Sequence, residues 1–359
     1  MALGQPVLGE VAVARDGRPL TRLDHLVAAG LLTKETADHL APVARRYAVA
    51  LTSTMADLID PSDPADPIAA QFVPQAAELT YLPEESADPI DDAGFSPVPG
   101  LVHRYADRVL LKVVSACPVY CRFCFRREMV GPGGEAMTGA VLNQALNYIE
   151  ARPQIHEVIL TGGDPFMLSA RRAHELTQAL ADIPHIQVVR WHTRVPVVAP
   201  ERISPDFVAA LQADGVASWV AIHANHPREL TPDARTAIAR LRQAGISLIS
   251  QSVLLKGVND RLEVLTDLMR AFISLGIKPY YLHHPDLAPG TSHFRPSVAD
   301  GQELMRGLRQ SISGLAQPTY VLDVPGGAYK APLDAASVRI HSDGIQVLDG
   351  NGLWRDYKG

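Results

Sequence analysis

Short apolar runs alternate with amphipathic segments of helical length from about residue 104 to residue 322. The runs predict strands at 109–114, 157–161, 187–191, 218–223, 247–254, 279–283 and 319–322. The segments between them predict helices near 139–151, 170–182, 204–213, 231–244, 261–275 and 300–313. This alternation implies an α/β fold with parallel strands and right-handed crossovers. No GxGxxG follows the first strand, and the pattern leaves an open doubly wound sheet and a barrel as alternatives.

The two ends of the chain have a different character. Residues 1–98 predict a helical lead-in, with Leu23, Leu26, Val27 and Leu31 at helical spacing and a second periodic stretch over 41–59, followed by an extended wrapping segment. The wrapping segment is rich in proline and aspartate, which cannot sustain long regular elements. At the other end, residues 333–359 predict a β-hairpin and a tail, because Asp343-Gly344 stands between alternating apolar residues.

Composition excludes several classes of partner. A net charge of -6 and a pI near 6.1 give no general attraction to nucleic acid or to an anionic membrane. No stretch approaches the run of about eighteen apolar residues that a membrane span needs, and no signal peptide is visible. We therefore expect a cytoplasmic protein.

All three cysteines of the chain lie in one loop, CPVYCRFC, as Cys117, Cys121 and Cys124. Thiolates select iron-sulfur clusters, zinc or cuprous copper. In a cubane cluster of four irons, three cysteines leave one iron open to a small chelating ligand. A zinc site closed by one of the thirteen histidines and three unliganded buried thiols are the alternatives. Zinc sites usually add a second, distant pair of ligands, which is absent here, so the pattern favours the cluster.

The spacing, with Tyr120 before the second cysteine and Phe123 before the third, resembles the signature of the radical S-adenosylmethionine (SAM) superfamily. The longer run CPVYCRFCFRR, ending at Arg127, resembles the lysine 2,3-aminomutase family. The resemblance covers about residues 95–332. It implies a partial (β/α)6 barrel over 99–332 with a helical N-terminal extension. It also implies a 4Fe-4S cluster on the three cysteines, with SAM chelating the open iron.

Further residues match positions of the SAM pocket in that family. Gly162-Gly163-Asp164 resembles the GGD motif that contacts the SAM amino group, although a strand-to-helix turn with an aspartate cap gives the same letters. His223 and Gln251 stand at strand ends and match positions that line the SAM and cofactor pocket. Either residue can equally be an ordinary strand-end hydrogen-bonding group.

Two other motifs resemble the pyridoxal 5′-phosphate (PLP) site of the family. Arg104, Tyr105 and Arg108 fall in register with the Arg-Tyr-x-x-Arg that grips the PLP phosphate, although arginines paired with Asp107 are the ordinary alternative. Lys330 ends the run DVPGGAYK and resembles the catalytic lysine that carries PLP as a Schiff base. Family members often have more glycine where this chain has alanine and tyrosine just before that lysine.

Three residues are candidates for substrate binding by resemblance. Arg126 matches the position that binds the substrate carboxylate, and Asp286 and Asp323 match the two aspartates that receive the side-chain ammonium of lysine. Each aspartate can instead belong to a turn. A glutamate substrate would need a cation at this place, because burying a carboxylate against two aspartates is unfavourable.

The resemblance thus implies a radical SAM and PLP-dependent lysine 2,3-aminomutase, an isomerase that moves the amino group from C2 to C3 and gives β-lysine. The alternatives within the family are a glutamate 2,3-aminomutase and an enzyme that supplies β-lysine for modification of elongation factor P. The chain ends soon after Lys330 without distal cysteines, which resembles the elongation factor branch. A non-catalytic iron-sulfur protein and a zinc-stabilised binding module are alternatives of another class. We expect a flavodoxin or ferredoxin as reductant, and a homo-oligomer.

Overall fold

The structure is a computed structural model that describes residues 18–131, 133–326, 329–333, 338–341, 344–348 and 353–357. Its main element is a sheet of nine strands in the order β1 to β9, the same as their order along the chain. The strands β2 to β8 run parallel, and β1 and β9 pair antiparallel at the two edges. The strands are β1 Leu101–Tyr105, β2 Arg108–Val114, β3 Glu157–Gly162, β4 Val188–Thr193, β5 Ala217–His223, β6 Ser247–Val253, β7 Lys278–His283, β8 Thr319–Asp323 and β9 Lys330–Pro332.

Helices occupy every connection between parallel strands and bury one apolar face each. In α6, Leu176 and Leu180 are buried, and in α10 Leu268 and Phe272 are fully buried in the same core as the strand residues. The core therefore lies between the sheet and its helices. The helices are α1 Leu23–Ala28, α2 Lys34–Arg46, α3 Ser53–Ala56, α4 Pro67–Phe72, α5 Gly139–Glu150, α6 Ala170–Ala181, α7 Val195–Val198, α8 Pro205–Ala210, α9 Pro232–Gln243, α10 Leu262–Ser274 and α11 Val298–Ser311.

The strand order decides between the two folds that the sequence left open. A doubly wound sheet reverses its strand order at a switch point, whereas here the order never reverses. The sheet also curls, because the ring of Tyr105 on β1 lies 5.6 Å from the ring of Tyr329, which precedes β9 at the opposite edge. The predicted partial barrel of the radical SAM type is confirmed.

The helical prediction over 41–59 is confirmed only in part, at 41–46 and 53–56. Helix α2 ends at Arg46, Leu51 forms an isolated bridge with Leu20, and only the short α3 follows. The reason is that the cysteine loop donates hydrogen bonds to backbone carbonyls of this stretch. The carbonyl of Ala50 accepts from the backbone N–H of Tyr120 at 2.8 Å, and a helix would use that carbonyl internally.

Three strands at the edges were not predicted: β1, β9 and β12, Trp354–Tyr357. The C-terminal hairpin is present as β10, Val338–His341, paired antiparallel with β11, Gly344–Leu348, and β12 adds a third strand. Asp343, predicted in its turn, lies outside the described residues. In the described ranges, no helix combines the length and apolar character needed to span a bilayer.

Candidate active site

One cavity opens among the carboxyl ends of the parallel strands, where an α/β barrel gathers its chemistry. Every site residue proposed from the sequence lies on its wall. These residues are Arg104, Tyr105, Arg108, Cys117, Cys121, Cys124, Arg126, Gly162, Gly163, Asp164, His223, Gln251, Asp286, Asp323 and Lys330. The cavity therefore brings together groups that are up to about 230 residues apart in the sequence.

The cysteine loop follows β2 and is held by the N-terminal region. The backbone N–H of Arg122 donates to the carbonyl of Gln71 at 2.9 Å, and its guanidinium donates to the carbonyl of Ala48 at 2.7 Å. A turn closed by Cys124 N–H and the carbonyl of Cys121, 3.1 Å, brings the last two cysteines together. The N-terminal region thus fixes the backbone that carries the thiols.

A buried charge cluster supports the same loop. The carboxylate of Glu78 is fully buried and accepts hydrogen bonds from the guanidinium groups of Arg122 and Arg127. Arg127 also donates to the carbonyl of Gly290 at 3.1 Å, and its guanidinium lies 3.5 Å from the ring centroid of Tyr47. Removing one member of such a set would leave a buried charge unpaired.

The three thiols have the character of ligands for a soft metal centre. Burial raises the pKa of Cys117 and Cys121 above the usual range and that of Cys124 to about 11, so each is a neutral thiol until a metal displaces its proton. Over the described part of the chain, no three His, Cys, Asp or Glu side chains surround a position for a single metal ion. Three soft donors on one short loop are a donor set that iron-sulfur clusters use.

The glycine motif lies against the cysteine loop. A Cβ on Gly162 would stand 2.3 Å from the carbonyl oxygen of Val114, and one on Gly163 would stand 2.3 Å from that of Ala116. Both glycines are therefore required for close approach of two backbones. The carboxylate of Asp164 accepts from Thr193 Oγ1 at 2.7 Å and from three backbone N–H groups, including that of Phe166 in the turn that it caps. The capping role considered for Asp164 is thus present.

The two strand-end residues of the SAM pocket are both on the cavity wall. Burial lowers the pKa of His223 well below its usual range, so its ring is neutral, and its Nε2 finds no partner among the described residues. Its ring lies 5.7 Å from that of Phe123 in the cysteine loop. Gln251 Nε2 lies 3.4 Å from His283 Nε2. His223 thus has a hydrogen-bonding atom available to a ligand.

The residues that are candidates for binding the PLP phosphate lie beside the turn between β1 and β2. The guanidinium of Arg108 lies 3.8 Å from the ring centroid of Tyr105 and donates to Asp107 Oδ1 at 2.7 Å, so the ordinary pairing is present for this arginine. Arg104 donates to the carbonyl of Ile90 and lies over the ring of Phe95. Two cations and a phenol therefore share this part of the wall.

Lys330 begins β9 and points its amine at a carboxylate. Its Nζ donates to Asp323 Oδ2 at 2.5 Å, and His283 Nδ1 lies 3.6 Å from the same oxygen. Burial acts to raise the pKa of Asp323, but His283 and the charge of Lys330 outweigh it and hold that pKa well below its usual range. Gly327 and Ala328 of the preceding turn lie outside the described residues.

The two other residues that are candidates for substrate binding, Asp286 and Arg126, differ in their present partners. Asp286 makes no side-chain hydrogen bond or ion pair within the described ranges, and burial, with the nearby charge of Asp323, raises its pKa to about 7. Arg126 is engaged, since its Nη2 and Nε donate to the buried carboxylate of Asp92 at 2.9 and 3.2 Å. A substrate carboxylate would have to share or displace Asp92.

Sequence reasoning missed several polar residues of the wall, among them Asp92, His192 and Arg194. His192 and Arg194 stand just beyond the predicted strand 187–191, and β4 continues to Thr193. A strand boundary two residues later would have placed both at the strand end. Asp92 lies in the wrapping segment, where only the tertiary fold reveals its position.

Comparisons with known proteins relate the chain to one superfamily and to several enzymes. Residues 111–269 match the Radical SAM superfamily. The chain is 40% identical over 302 residues to the L-lysine 2,3-aminomutase of Clostridium subterminale, covering 84% of this chain and 72% of that protein. It is 34% identical over 314 residues to the glutamate 2,3-aminomutase of Clostridioides difficile, covering 88% and 74%. A radical SAM methyltransferase structure from Sphaerobacter thermophilus covers 62% of this chain and 68% of its own, with 21% identity and a TM-score of 0.44.

The protein is therefore a radical SAM enzyme. Within that class the chain belongs to the lysine 2,3-aminomutase family. Membership supports an aminomutase, which is an isomerase, and implies a 4Fe-4S cluster and SAM.

Proposed function

We propose that this protein is a lysine 2,3-aminomutase that uses SAM on a cluster held by Cys117, Cys121 and Cys124, with PLP on Lys330. One observation carries the proposal. The cavity has three thiols on one part of its wall and an amine with two aspartates on another. An iron-sulfur electron-transfer protein or a zinc-stabilised module has no use for the second group.

The cysteine side of the cavity suits a cluster with one open iron. When bound, the cluster and SAM supply a 5′-deoxyadenosyl radical, which removes a hydrogen atom from the substrate. The neutral ring of His223 offers a hydrogen-bonding atom to SAM. The backbone at Gly162 and Gly163 packs against the carbonyls of Val114 and Ala116, because both glycines lack a Cβ. The electron would come from a flavodoxin or ferredoxin.

The opposite side of the cavity suits PLP. When bound, PLP holds the amino nitrogen of the substrate and spreads the unpaired electron over its ring. Lys330 would hold PLP covalently through its amine, after transfer of the amine proton, and Asp323 lies next to that amine to receive or return it. Arg104, Tyr105 and Arg108 would bind the phosphate, because a dianion attracts both guanidinium groups and accepts a hydrogen bond from the phenol.

Charge at the far end of the cavity favours lysine over glutamate. Asp286 and Asp323 are two carboxylates beside one cation, Lys330, so this region has an excess of negative charge that a second ammonium group neutralises. Once the Lys330 amine is bound to PLP, Asp323 no longer faces the free ammonium group of Lys330 and retains His283 as a partner. A glutamate side chain would add a third carboxylate here. Arg126, shared with Asp92, would orient the α-carboxylate.

Anaerobic purification followed by quantitation of iron, sulfide, zinc and PLP tests the cofactor content. Borohydride reduction should then fix PLP covalently on Lys330 of the wild type and not in Lys330→Ala. The exposed Lys278 offers a matched control, because Lys278→Ala should retain the label. Stoichiometric zinc without iron, or a label on another lysine, would contradict the proposal.

A further inference from the structure

Arg194 is a buried cation that contacts a cysteine sulfur. It follows β4, is 6% exposed, and donates from Nη1 to Cys121 Sγ at 3.0 Å. Its other terminal nitrogen, Nη2, donates to Glu229 Oε2 at 2.7 Å and to Gln71 Oε1 at 2.6 Å. One guanidinium thus joins the cysteine loop, the barrel and the wrapping segment.

The surroundings hold this guanidinium in place. Glu229 Oε1 accepts the backbone N–H groups of Asn225 and His226, both at 2.9 Å, so the counter-ion cannot swing away. The rings of Phe72 and Phe123 lie 4.6 and 5.4 Å from the guanidinium carbon. Burial and fixed partners therefore keep the N–H group directed at the sulfur, and water does not screen its charge.

We propose that Arg194 raises the reduction potential of the iron-sulfur cluster through its hydrogen bond to the Cys121 sulfur. The proposal rests on the function proposed above, in which Cys121 ligates the cluster. Reduction adds one electron from an external one-electron donor and makes the cluster and its thiolates more negative. A cationic N–H donor stabilises that more negative state, as hydrogen bonds to cluster sulfurs do in general.

Glu229 has the opposite effect on the reduction potential of the cluster. Its carboxylate offsets most of the arginine's charge at long range, so the pair presents a dipole whose positive end faces Cys121. Removing the negative charge while keeping the donor should make the cluster easier to reduce. Arg194 and Glu229 are positioning residues for the cluster, and they predict potential shifts of opposite sign.

The test measures the midpoint potential of the cluster in the loaded protein. The protein is titrated with dithionite in the absence of SAM, and electron paramagnetic resonance monitors reduction of the cluster. Omitting SAM separates an effect on the cluster from an effect on SAM binding. In R194Q we expect the ratio of reduced to oxidised cluster at a given potential to fall at least tenfold. For a one-electron couple this corresponds to a shift of the midpoint potential by about 59 mV to lower values. E229Q should shift to higher values, and the double variant R194Q/E229Q should lie between R194Q and E229Q.

Arg228 provides a matched control, because it forms a 2.8 Å ion pair with Asp66 in the same region and, among the described residues, donates no hydrogen bond to a sulfur. R228Q should keep the wild-type midpoint. Full iron content with unchanged midpoints in R194Q and E229Q, or shifts of the same sign in both, would overturn the inference. If R194Q does not fold, the sign of the E229Q shift decides. Absence of iron from the wild type would instead contradict the proposed function.

Discussion

The two sides of the cavity are built in different ways. On the cysteine side, buried charges are paired by protein groups: Glu78 with two arginines, and Arg194 with Glu229, Gln71 and Cys121. On the lysine side, Lys330 pairs with Asp323, His283 lies 3.6 Å from the same carboxylate, and Asp286 has no side-chain partner in the described part of the chain. Tyr329, beside Lys330, is 68% exposed.

This difference agrees with the cofactors that we propose for the two sides. A cluster needs ligands whose backbone stays fixed through many turnovers, and a buried network of paired charges gives that rigidity. A covalent cofactor and a charged substrate need groups that exchange partners when they arrive. An amine that faces one carboxylate can make that exchange at low energetic cost, and so can a second carboxylate that has no side-chain partner among the described residues.

The largest effect is expected at the thiols themselves. Cys121→Ala leaves two thiolates for the cluster and removes the acceptor of Arg194, so iron binding and reductive cleavage of SAM should both be lost. Iron content and formation of 5′-deoxyadenosine measure the two losses. Ser115→Ala, in the same connection, should keep both, and a Cys121→Ala protein with full iron would contradict the ligand assignment.

The stability of the protein should also be more sensitive to loss of a charge on the cysteine side of the cavity. Glu78→Ala would leave Arg122 and Arg127 buried without their carboxylate and should lower the free energy of unfolding by about 3–5 kcal/mol. Denaturant unfolding measures this change. Glu175, paired with Arg171 on the surface, is the control, since Glu175→Ala should change the stability by less than about 0.5 kcal/mol. Equal effects in both variants would mean that the buried network does not stabilise the loop.

On the lysine side, truncation should affect binding rather than folding. Asp323→Ala or Asp286→Ala should each weaken lysine binding by about 2–5 kcal/mol, because the side-chain ammonium would be left unpaired. Calorimetry on protein loaded with PLP measures the loss. Iron content and SAM cleavage should remain as in the wild type. Wild-type lysine affinity in both variants would show that the ammonium binds elsewhere.

A smaller effect concerns pH. The pKa of Asp286 is raised to about 7 in the absence of ligand, so below that pH its carboxyl is neutral and must release a proton before it pairs with an ammonium group. Lysine affinity should therefore rise with pH through the range of about 6 to 7, by up to tenfold per pH unit, and level off above it. Asp286→Asn should have weaker affinity and lose this dependence. An affinity that falls over this range would contradict the role of Asp286.

The sequence predicted the parallel strands and their helices well because each has a clear apolar period and length. It did not predict β1 and β9, which are short edge strands defined by pairing with β2 and β8 rather than by their own pattern. Family resemblance supplied site residues, but not their present partners. The pairing of Arg126 with Asp92 and the contact of Arg194 with Cys121 arise from tertiary packing of segments distant in the chain. The domain boundaries at residues 98 and 332 stay predictions.

The most direct test of the proposed function is product analysis with two substrates. Anaerobic protein loaded with iron, sulfide and PLP would be given SAM, dithionite and either lysine or glutamate, and the amino acids separated by chromatography. We predict that lysine is converted to β-lysine and that glutamate is left unchanged, because two aspartates line the substrate end of the cavity. Conversion of glutamate to β-glutamate, with lysine unchanged, would contradict the assignment.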